Sequence, residues 1–428
     1  MDIIDWLKSR WKEEYSKNPV FVLFATVMVI LLIVFIVAAV ITGGKSATNM
    51  FWVNSDESFS DYFCSIVYSM SDPYSIGVIY PPLITTFYNV IGHFTIPFVQ
   101  PGTDPLWMLI RDSQMGLMSY FVITLLTFYA VRRIVMKQSE GKEINGEVLF
   151  ILIALSYPLL YSVERGNNII IAMVFCFIFL MGYKSENKVI RYLSYVALGV
   201  AAGIKIYPVL LGLLILRERK YKEMIECVLI VAVLFLLPFL FTGGGPLLLF
   251  DNAISYASPD SVAGFINLTQ FTFAILQTIL PQGTVALISN IVVLTVTAIS
   301  IVIVLFDREM KTWKIIALLS FNIILGPGVG SQYLFVYAVI PLVYFLISEK
   351  KMTNENKFFL ICFIVILTLI PGAELPAEAL SQLIISTIKS VFTIMMTVYL
   401  MAEGIRRLYR NLREKEGSDP QDDAQEDV

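Results

Sequence analysis

The architecture of this chain is set by a run without charged residues at positions 19–44, which reads PVFVLFATVMVILLIVFIVAAVITGG. A helix of about 20 residues crosses a bilayer core, so this run is long enough to span it. It is too long for a signal-peptide core and shows no clear cleavage site, so we interpret it as a first spanning helix. Residues 1–18 alternate acidic and basic side chains around Trp6, Leu7 and Trp11, which favours an amphipathic cytoplasmic helix on the membrane surface.

Composition places the whole chain in the membrane class. Of 428 residues, 57% are hydrophobic and only 15% are charged, against about 25% charged in soluble domains. The net charge of -3 and the lack of a basic stripe argue against nucleic acid as a partner. The single histidine, His93, excludes a His-based metal site and a Ser-His-Asp triad. The four cysteines are scattered, and no phosphate-binding loop is present, so we predict no cofactor and leave a divalent metal ion open.

Basic clusters fix the predicted topology through the positive-inside rule. They occur at Arg132–Lys142, Lys184–Arg191, Arg217–Lys222, Arg308–Lys314, Lys350–Lys357 and Arg406–Lys415. With all of them in the cytoplasm, the chain becomes an all-α bundle of about twelve transmembrane spans with outer juxtamembrane helices and both termini cytoplasmic. The predicted spans are 20–42, 114–132, 147–162, 168–183, 192–205, 206–217, 223–241, 284–306, 313–326, 333–347, 357–371 and 383–402.

These spans form one predicted domain over residues 19–413 in the cell membrane, followed by an acidic tail over 414–428 that we expect to be disordered. Two further apolar stretches, Tyr80–Val99 and Val262–Leu280, are predicted to rest on the outer face without spanning. Counting the first as a span would move the cluster at Arg132 to the outside, against the positive-inside rule.

A few charged residues lie near apolar segments on the predicted outer face, where an unpaired charge costs several kcal/mol. They include Asp56, Asp61, Arg111, the pair Glu164–Arg165 and Lys205. Acids and isolated cations on one face suit a site where a carboxylate removes a proton and cations hold an anion. Other interpretations stay open: solvated loop charges, an ion pair between Glu164 and Arg165, and a Lys205 that reaches for the headgroups.

Short motifs in this order resemble those of the GT-C superfamily of membrane glycosyltransferases, and within it glycosyltransferase family 87, the polyprenyl-phosphate-mannose-type transferases. The motifs are Asp61–Tyr62–Phe63 with Tyr68 and Tyr80–Pro81–Pro82–Leu83; Glu164–Arg165–Gly166–Asn167–Asn168; Lys205–Ile206–Tyr207–Pro208 with Arg217 and Arg219; and Asn267–Leu268–Thr269. Two departures stand out: Asn167 occupies a position where we expect glutamine, and Gln332 one where such enzymes often have histidine.

The resemblance implies an inverting transfer of a mannose-like sugar from a polyprenyl-phosphate donor to an outer glycan or glycolipid acceptor. It implies Asp61 as the general base, with Asp56 as the fallback, and Arg165, Lys205 and Arg111 as ligands of the donor phosphate. It also implies substrate contacts from Tyr68, Tyr80, Glu164, Asn168, Asn267 and Gln332.

Two other functions compete with this interpretation. A transporter or lipid flippase also has about a dozen spans, but it usually carries ionisable groups near the midplane, whereas here the charges cluster at helix ends. A non-enzymatic scaffold of the cell envelope is the other alternative, for which the motifs would be accidental.

Overall fold

The structure, a computed structural model, describes residues 3–51, 57–256, 267–326, 331–372 and 380–416. Throughout these ranges the regular structure is helical, without a strand. The first third of the chain forms α1 Ile3–Lys17, α2 Pro19–Ile41, α3 Lys45–Thr48, α4 Ser60–Ser69, α5 Pro82–Thr95, α6 Leu106–Asp112 and α7 Gln114–Ser139. The middle third forms α8 Gly146–Ala154, α9 Tyr157–Arg165, α10 Ile169–Gly182, α11 Lys188–Ile204, α12 Leu213–Arg217, α13 Tyr221–Leu236, α14 Phe239–Thr242 and α15 Gly245–Tyr256. The last third forms α16 Leu268–Leu276, α17 Gln282–Phe306, α18 Thr312–Leu325, α19 Val339–Ser348, α20 Asn354–Leu367 and α21 Leu380–Glu416. Short 3₁₀ helices at Ile96–Phe98, Tyr207–Gly212 and Gln332–Ala338 complete the set.

Within the described ranges, 5 helical segments are long and apolar enough to cross a bilayer: Pro19–Ile41, Gln114–Ser139, Tyr221–Thr242, Gln282–Phe306 and Leu380–Glu414. The pair α8 and α9 counts as a sixth if it is one span, although it bends by 49°. Other predicted spans coincide with apolar helices of 10–17 residues, which fall short of a full crossing. A helical membrane protein is therefore confirmed, and the count of twelve spans stays a prediction.

Polar side chains begin several of these helices. Asn18, Asn145, Asn187 and Thr353 each accept a hydrogen bond from a first-turn backbone N–H of α2, α8, α11 and α20, respectively. Such N-caps satisfy amide groups that would otherwise lie unpaired at the edge of an apolar helix. Asn145, Asn187 and Thr353 lie in or next to basic clusters of the sequence, and the Asn18 amide donates to the Leu346 carbonyl, just before the cluster at Lys350, so all four lie at one end of the bundle.

Polar contacts link the predicted basic clusters to one another at this level. Ion pairs or hydrogen bonds connect Lys350 with Glu143, Lys184 with Glu218, Arg217 with the Met310 carbonyl, Lys314 with Glu355, and Arg410 with Glu309. We call this level the basic end. The structure thus brings together the clusters that the positive-inside rule assigned to one side of the membrane.

The candidate site lies at the opposite end of the bundle. Helix α11 runs from the basic end to this end, so its length gives the distance between them. This helix starts at Lys188 in a basic cluster, runs for 17 residues, about 25 Å, and stops before Lys205. We call this level the site end. Helix α5, which covers most of the stretch Tyr80–Val99, is only 14 residues long and packs on α4 at this end, as expected for a helix that does not span.

Two predictions fall partly outside the described residues. Of Val262–Leu280, the structure describes α16 and the turn after it, but not 262–266. Of the acidic tail, it describes only Glu414 to Glu416, as the end of helix α21, and the disordered tail stays a prediction. Residues 417–428 lie outside the described ranges.

Candidate active site

The turn after α9 places the site because it binds directly to the start of α4. Gly166 ends α9 with a φ of 70°, the left-handed conformation that favours glycine. A Cβ on Gly166 would lie 2.8 Å from the Phe59 carbonyl oxygen and 2.9 Å from the Tyr62 Cβ, so only glycine permits this approach. The Phe59 amide completes the junction by donating to the Glu164 carbonyl at 2.7 Å.

Asp61, the predicted base, lies in the first turn of α4 and faces this junction. Its Oδ1 accepts from Arg165 Nη2 at 3.2 Å, and its Oδ2 accepts from Asn167 Nδ2 at 2.7 Å. Each oxygen keeps a second lone pair, so the carboxylate is oriented but can still accept a proton. Its side chain is about a fifth exposed, at 19%. The fallback base, Asp56, lies outside the described residues.

Arg165 forms ion pairs with carboxylates from the start of α4 and the residues before it, rather than with its sequence neighbour Glu164. Besides Asp61, its guanidinium contacts Glu57 Oε2 at 3.4 Å. Glu164 instead accepts from the Ser58 hydroxyl at 3.3 Å, so the ion pair between Glu164 and Arg165, one of the alternatives from the sequence, does not form. The guanidinium is shared between two carboxylates and orients Asp61, and its role as a ligand of the donor phosphate stays a prediction.

Lys205 occupies the break between α11 and the 3₁₀ helix Tyr207–Gly212. Its ammonium lies 4.2 Å from the centre of the Tyr80 ring and 5.1 Å from that of Tyr333, a cation–π arrangement, and the residue is only 8% exposed. No hydrogen-bond acceptor from the described residues contacts this ammonium. It lies within electrostatic range of Asp61. A buried cation held only by two aromatic faces is suited to an anionic ligand.

Of the other predicted site residues, Tyr80 and Tyr68 lie on elements of the site, whereas Arg111 has partners of its own on α6. Tyr80 contacts Lys205, and Tyr68 lies two helical turns after Asp61 on the same face of α4, about 10 Å away. Arg111 sits on α6, where it pairs with Asp112 at 2.8 Å and lies 5.5 Å from the Trp107 ring centre, so its role as a phosphate ligand stays a prediction.

Three predicted contacts have structural partners. The Asn168 amide donates to the Tyr88 hydroxyl. Asn267 caps α16 in a reciprocal pair with Gln270, at 2.9 and 3.1 Å, the pattern of a capping box. Gln332 donates weakly to the Gln382 carbonyl at 3.5 Å, and it precedes Tyr333, the second face of the Lys205 site.

Sequence reasoning missed Asn167, Glu57 and Tyr333 as members of the site. Asn167 was noted only as a departure from an expected glutamine, yet it bonds Asp61 and also accepts from the Ile169 amide at 3.1 Å. Its position beside Arg165 in the charged turn was the signal that could have identified it.

The neighbouring ionisable groups of α4 do not compete with Asp61. Burial raises the pKa of the Cys64 thiol to about 11 and that of Tyr62 to about 12, so both stay neutral at physiological pH. Among the residues that the structure describes, no three His, Cys, Asp or Glu side chains come together as metal ligands would.

A carboxylate and a cation at one end of a helical membrane bundle are the groups expected of a membrane glycosyltransferase. The sequence profile of glycosyltransferase family 87 matches residues 79–329, more than half of the chain, and the chain belongs to that family. The match includes Tyr80, the turn 164–168 and Lys205, whereas Asp61 precedes it. No curated protein and no solved structure is significantly similar to the chain.

Proposed function

We propose that the protein transfers a mannose-like sugar from a polyprenyl-phosphate donor to a glycan or glycolipid acceptor on the outer side of the cell membrane, with inversion at the anomeric carbon. The observation that supports this proposal is that a carboxylate, Asp61, and a cation, Lys205, lie in the same site but in different surroundings. Asp61 is held by Arg165 and Asn167, while Lys205 is buried against aromatic rings without an acceptor from the described residues. Family membership favours an enzyme over a transporter.

In the proposed reaction, an acceptor hydroxyl attacks the anomeric carbon while Asp61 takes its proton. The bond between that carbon and the phosphate oxygen breaks, and the polyprenyl phosphate leaves with the bonding electrons. Lys205 then offsets the charge that develops on the leaving phosphate, where a cation in a water-poor site acts most strongly. Arg165 and Asn167 orient the carboxylate throughout the reaction, because a general base must lie within hydrogen-bond reach of the proton that it removes.

An apolar groove beside the site supports a lipid-linked donor. It has a volume of about 250 Å³ and lies between α5 and α7, with Ile91, Phe94, Met118 and Val122 in its walls. Ser119 lines it as well, and it accepts from the Tyr62 hydroxyl at 3.2 Å. Since Tyr62 follows Asp61 on α4, a chain in this groove would have its phosphate end near the charged groups.

The proposal requires the site end to face outward and both termini to lie in the cytoplasm. Cysteine labelling at Ser75, Thr103 and Ile206, three exposed positions at the site end, in a cysteine-free background tests this orientation. All three should react with an impermeant reagent, since the basic end faces the cytoplasm under the positive-inside rule. Protection of these positions while a cysteine at the basic end reacts would invert the topology.

A membrane assay with a panel of radiolabelled polyprenyl-phosphate sugars tests the reaction itself. Transfer from one of them to a lipid or glycan acceptor, lost in Asp61→Asn, is the expected result. If none is used and the protein instead moves a lipid-linked sugar across vesicles, the enzyme assignment is wrong and a flippase is the better description.

A further inference from the structure

A second group of polar atoms lies behind the catalytic candidates, in the seam between α9, the 3₁₀ helix Gln332–Ala338 and the start of α21. Tyr157, Gln332 and Gln382 are at most 6% exposed, and each has a side-chain polar atom without a hydrogen-bond partner. Glu164 Oε2 is buried and unpartnered as well, although Oε1 accepts from Ser58. These statements concern the residues that the structure describes.

Contacts along α9 and α21 place these atoms in one seam. Tyr157, Tyr161 and Glu164 follow each other at spacings of four and three, so they form a single stripe on α9. Tyr157 and Tyr161 pack with Ile385 of α21, which lies one turn after Gln382. The 3₁₀ helix that contains Gln332 also packs on α9, and the Gln332 amide reaches the Gln382 carbonyl.

The chemistry of the unpartnered atoms selects a ligand. Glu164 Oε2 and Gln332 Oε1 accept hydrogen bonds, Gln382 Nε2 donates, and the Tyr157 hydroxyl does both. The oxygens of a phosphate diester only accept hydrogen bonds, so a phosphate would leave Glu164 Oε2 and Gln332 Oε1 without a donor. A polyol supplies several hydroxyl groups that each donate and accept, and these atoms together require both donors and acceptors.

We infer that this seam binds the hydroxyl groups of the sugar acceptor. The inference rests on the proposed function and assigns the two substrates to opposite sides of Asp61. Gln332 reaches Gln382 across the seam, and the next residue, Tyr333, packs against the Tyr157 and Tyr161 cluster and presents its ring to Lys205 at 5.1 Å, so it separates the seam from the Lys205 side. Glu164 likewise precedes Arg165, which holds Asp61. The donor phosphate therefore lies on the Lys205 side, and the acceptor hydroxyl approaches Asp61 from the Glu164 side.

Unpartnered buried polar atoms are costly, so a ligand that completes their hydrogen bonds gains affinity from them. Removal of one hydrogen bond to the Glu164 carboxylate should weaken acceptor binding about tenfold or more. Tyr157→Phe removes only a neutral hydroxyl and keeps the ring over Lys389, which lies 4.3 Å away, so its effect should be smaller.

The test measures binding of a panel of methyl glycosides to the purified full-length protein. Saturation-transfer NMR detects the binding, and no polyprenyl-phosphate sugar is present. At least one glycoside should bind the wild type and bind Glu164→Gln about tenfold more weakly. Glu226→Gln is the matched control, because Glu226 also accepts one hydroxyl hydrogen bond, from Tyr192 at 3.0 Å, but at the basic end. This control should bind like the wild type.

Two results would overturn the inference: no glycoside binds the wild type, or the same glycoside binds wild type, Glu164→Gln and Tyr157→Phe equally. Thermal unfolding of each variant identifies one that does not fold, in which case Tyr157→Phe decides. With an active donor, Glu164→Gln should raise the acceptor KM, whereas the Glu226→Gln control should leave both the acceptor KM and the donor KM unchanged. Glycoside binding without transfer from any polyprenyl-phosphate sugar would count against the proposed function alone.

Discussion

A buried lysine at each end of the bundle has different partners. At the basic end, Lys314 is 3% exposed and its ammonium contacts both Glu355 and Glu403. Arg407 continues the network from Glu403 to the fully buried Asp307. At the site end, Lys205 is nearly as buried, yet its neighbours in the described part of the chain are two aromatic rings rather than carboxylates.

The difference separates stability from function. A buried ion pair that loses one partner costs several kcal/mol, so a closed network such as that around Lys314 resists change. A buried charge without a directly contacting counter-charge is retained at a cost, and ionisable groups of this kind in membrane proteins mark binding or catalysis. The comparison predicts that variants at the site end change rates, whereas variants at the basic end change stability.

The largest expected effect on rate is that of Asp61→Asn. The amide cannot take the proton, so transfer from a polyprenyl-phosphate sugar should fall by roughly 10²–10⁴-fold. Initial rates in membranes, normalised to the folded protein, measure this loss. Glu57→Gln is the control, because it removes the other carboxylate that contacts Arg165, at 3.4 Å, and should act mildly.

If Asp61→Asn keeps more than about a tenth of the activity, Asp61 is not the base, since general-base removal costs far more. If Asp56→Asn proves to be the inactive variant, the fallback residue is the base.

Lys205→Met should weaken use of the donor by roughly 10- to 150-fold, the effect of losing a charge-assisted hydrogen bond to phosphate. The apolar side chain keeps the contact with the Tyr80 ring, so folding should be preserved. Rates at increasing donor and at increasing acceptor concentration separate the two substrates. Unchanged donor saturation would remove Lys205 from the phosphate site and leave its cation–π contacts with a structural role.

Asn167→Ala should lower kcat by about tenfold, because Asp61 loses the hydrogen bond that orients its Oδ2 at 2.7 Å. Asn167→Gln supplies the amide one methylene further out, and partial recovery of kcat would show that orientation is what the amide provides. A pH profile of kcat for these variants gives a second readout. Equal losses in Asn167→Ala and Asn167→Gln, matched by a loss of thermal stability, would mean that Asn167 serves only as a cap for α10.

Lys314→Met should have the smallest effect on rate and the largest on stability. It leaves Glu355 without its buried cation, which destabilises the fold by about 3–5 kcal/mol. Thermal unfolding in detergent measures this loss, and turnover per folded molecule should match the wild type. Arg410→Ala, which removes an exposed pair with Glu309, should cost less than about 1 kcal/mol. A loss of turnover in folded Lys314→Met would show that the two ends are coupled.

The sequence could single out Asp61, Arg165 and Lys205 because a charge beside apolar helices is visible without a structure, and their roles stay predictions. Asp61 and Arg165 meet as ion-pair partners, and Lys205 lies in the break that the predicted spans 192–205 and 206–217 placed between them. The partner of Arg165 was not predictable, because Asp61 lies 104 residues earlier and no local pattern encodes that contact. Sequence order instead favoured the adjacent Glu164.

Helix lengths were harder to predict than helix positions. Apolar character continues through Leu155 and Ser156, so hydropathy alone shows one span at 147–162, whereas the backbone bends there by 49°. Pro158 in the first turn of α9 was the available signal, since proline suits a helix start and disfavours a helix interior. Gln332 was predicted from the family resemblance only, and the unpartnered oxygen that makes it informative appears only in the folded chain.

The close approach at Gly166 has a consequence for how the enzyme is made. During synthesis, Asp61 emerges from the ribosome before Arg165 and Asn167, which follow it in the chain by 104 and 106 residues. Its carboxylate acquires its partners only when α9 has been inserted and the glycine turn has docked on Phe59 and Tyr62. A bulkier residue at position 166 would therefore yield a chain that is inserted and helical but never assembles a competent site. Biogenesis and catalysis thus depend on the same few ångströms of backbone.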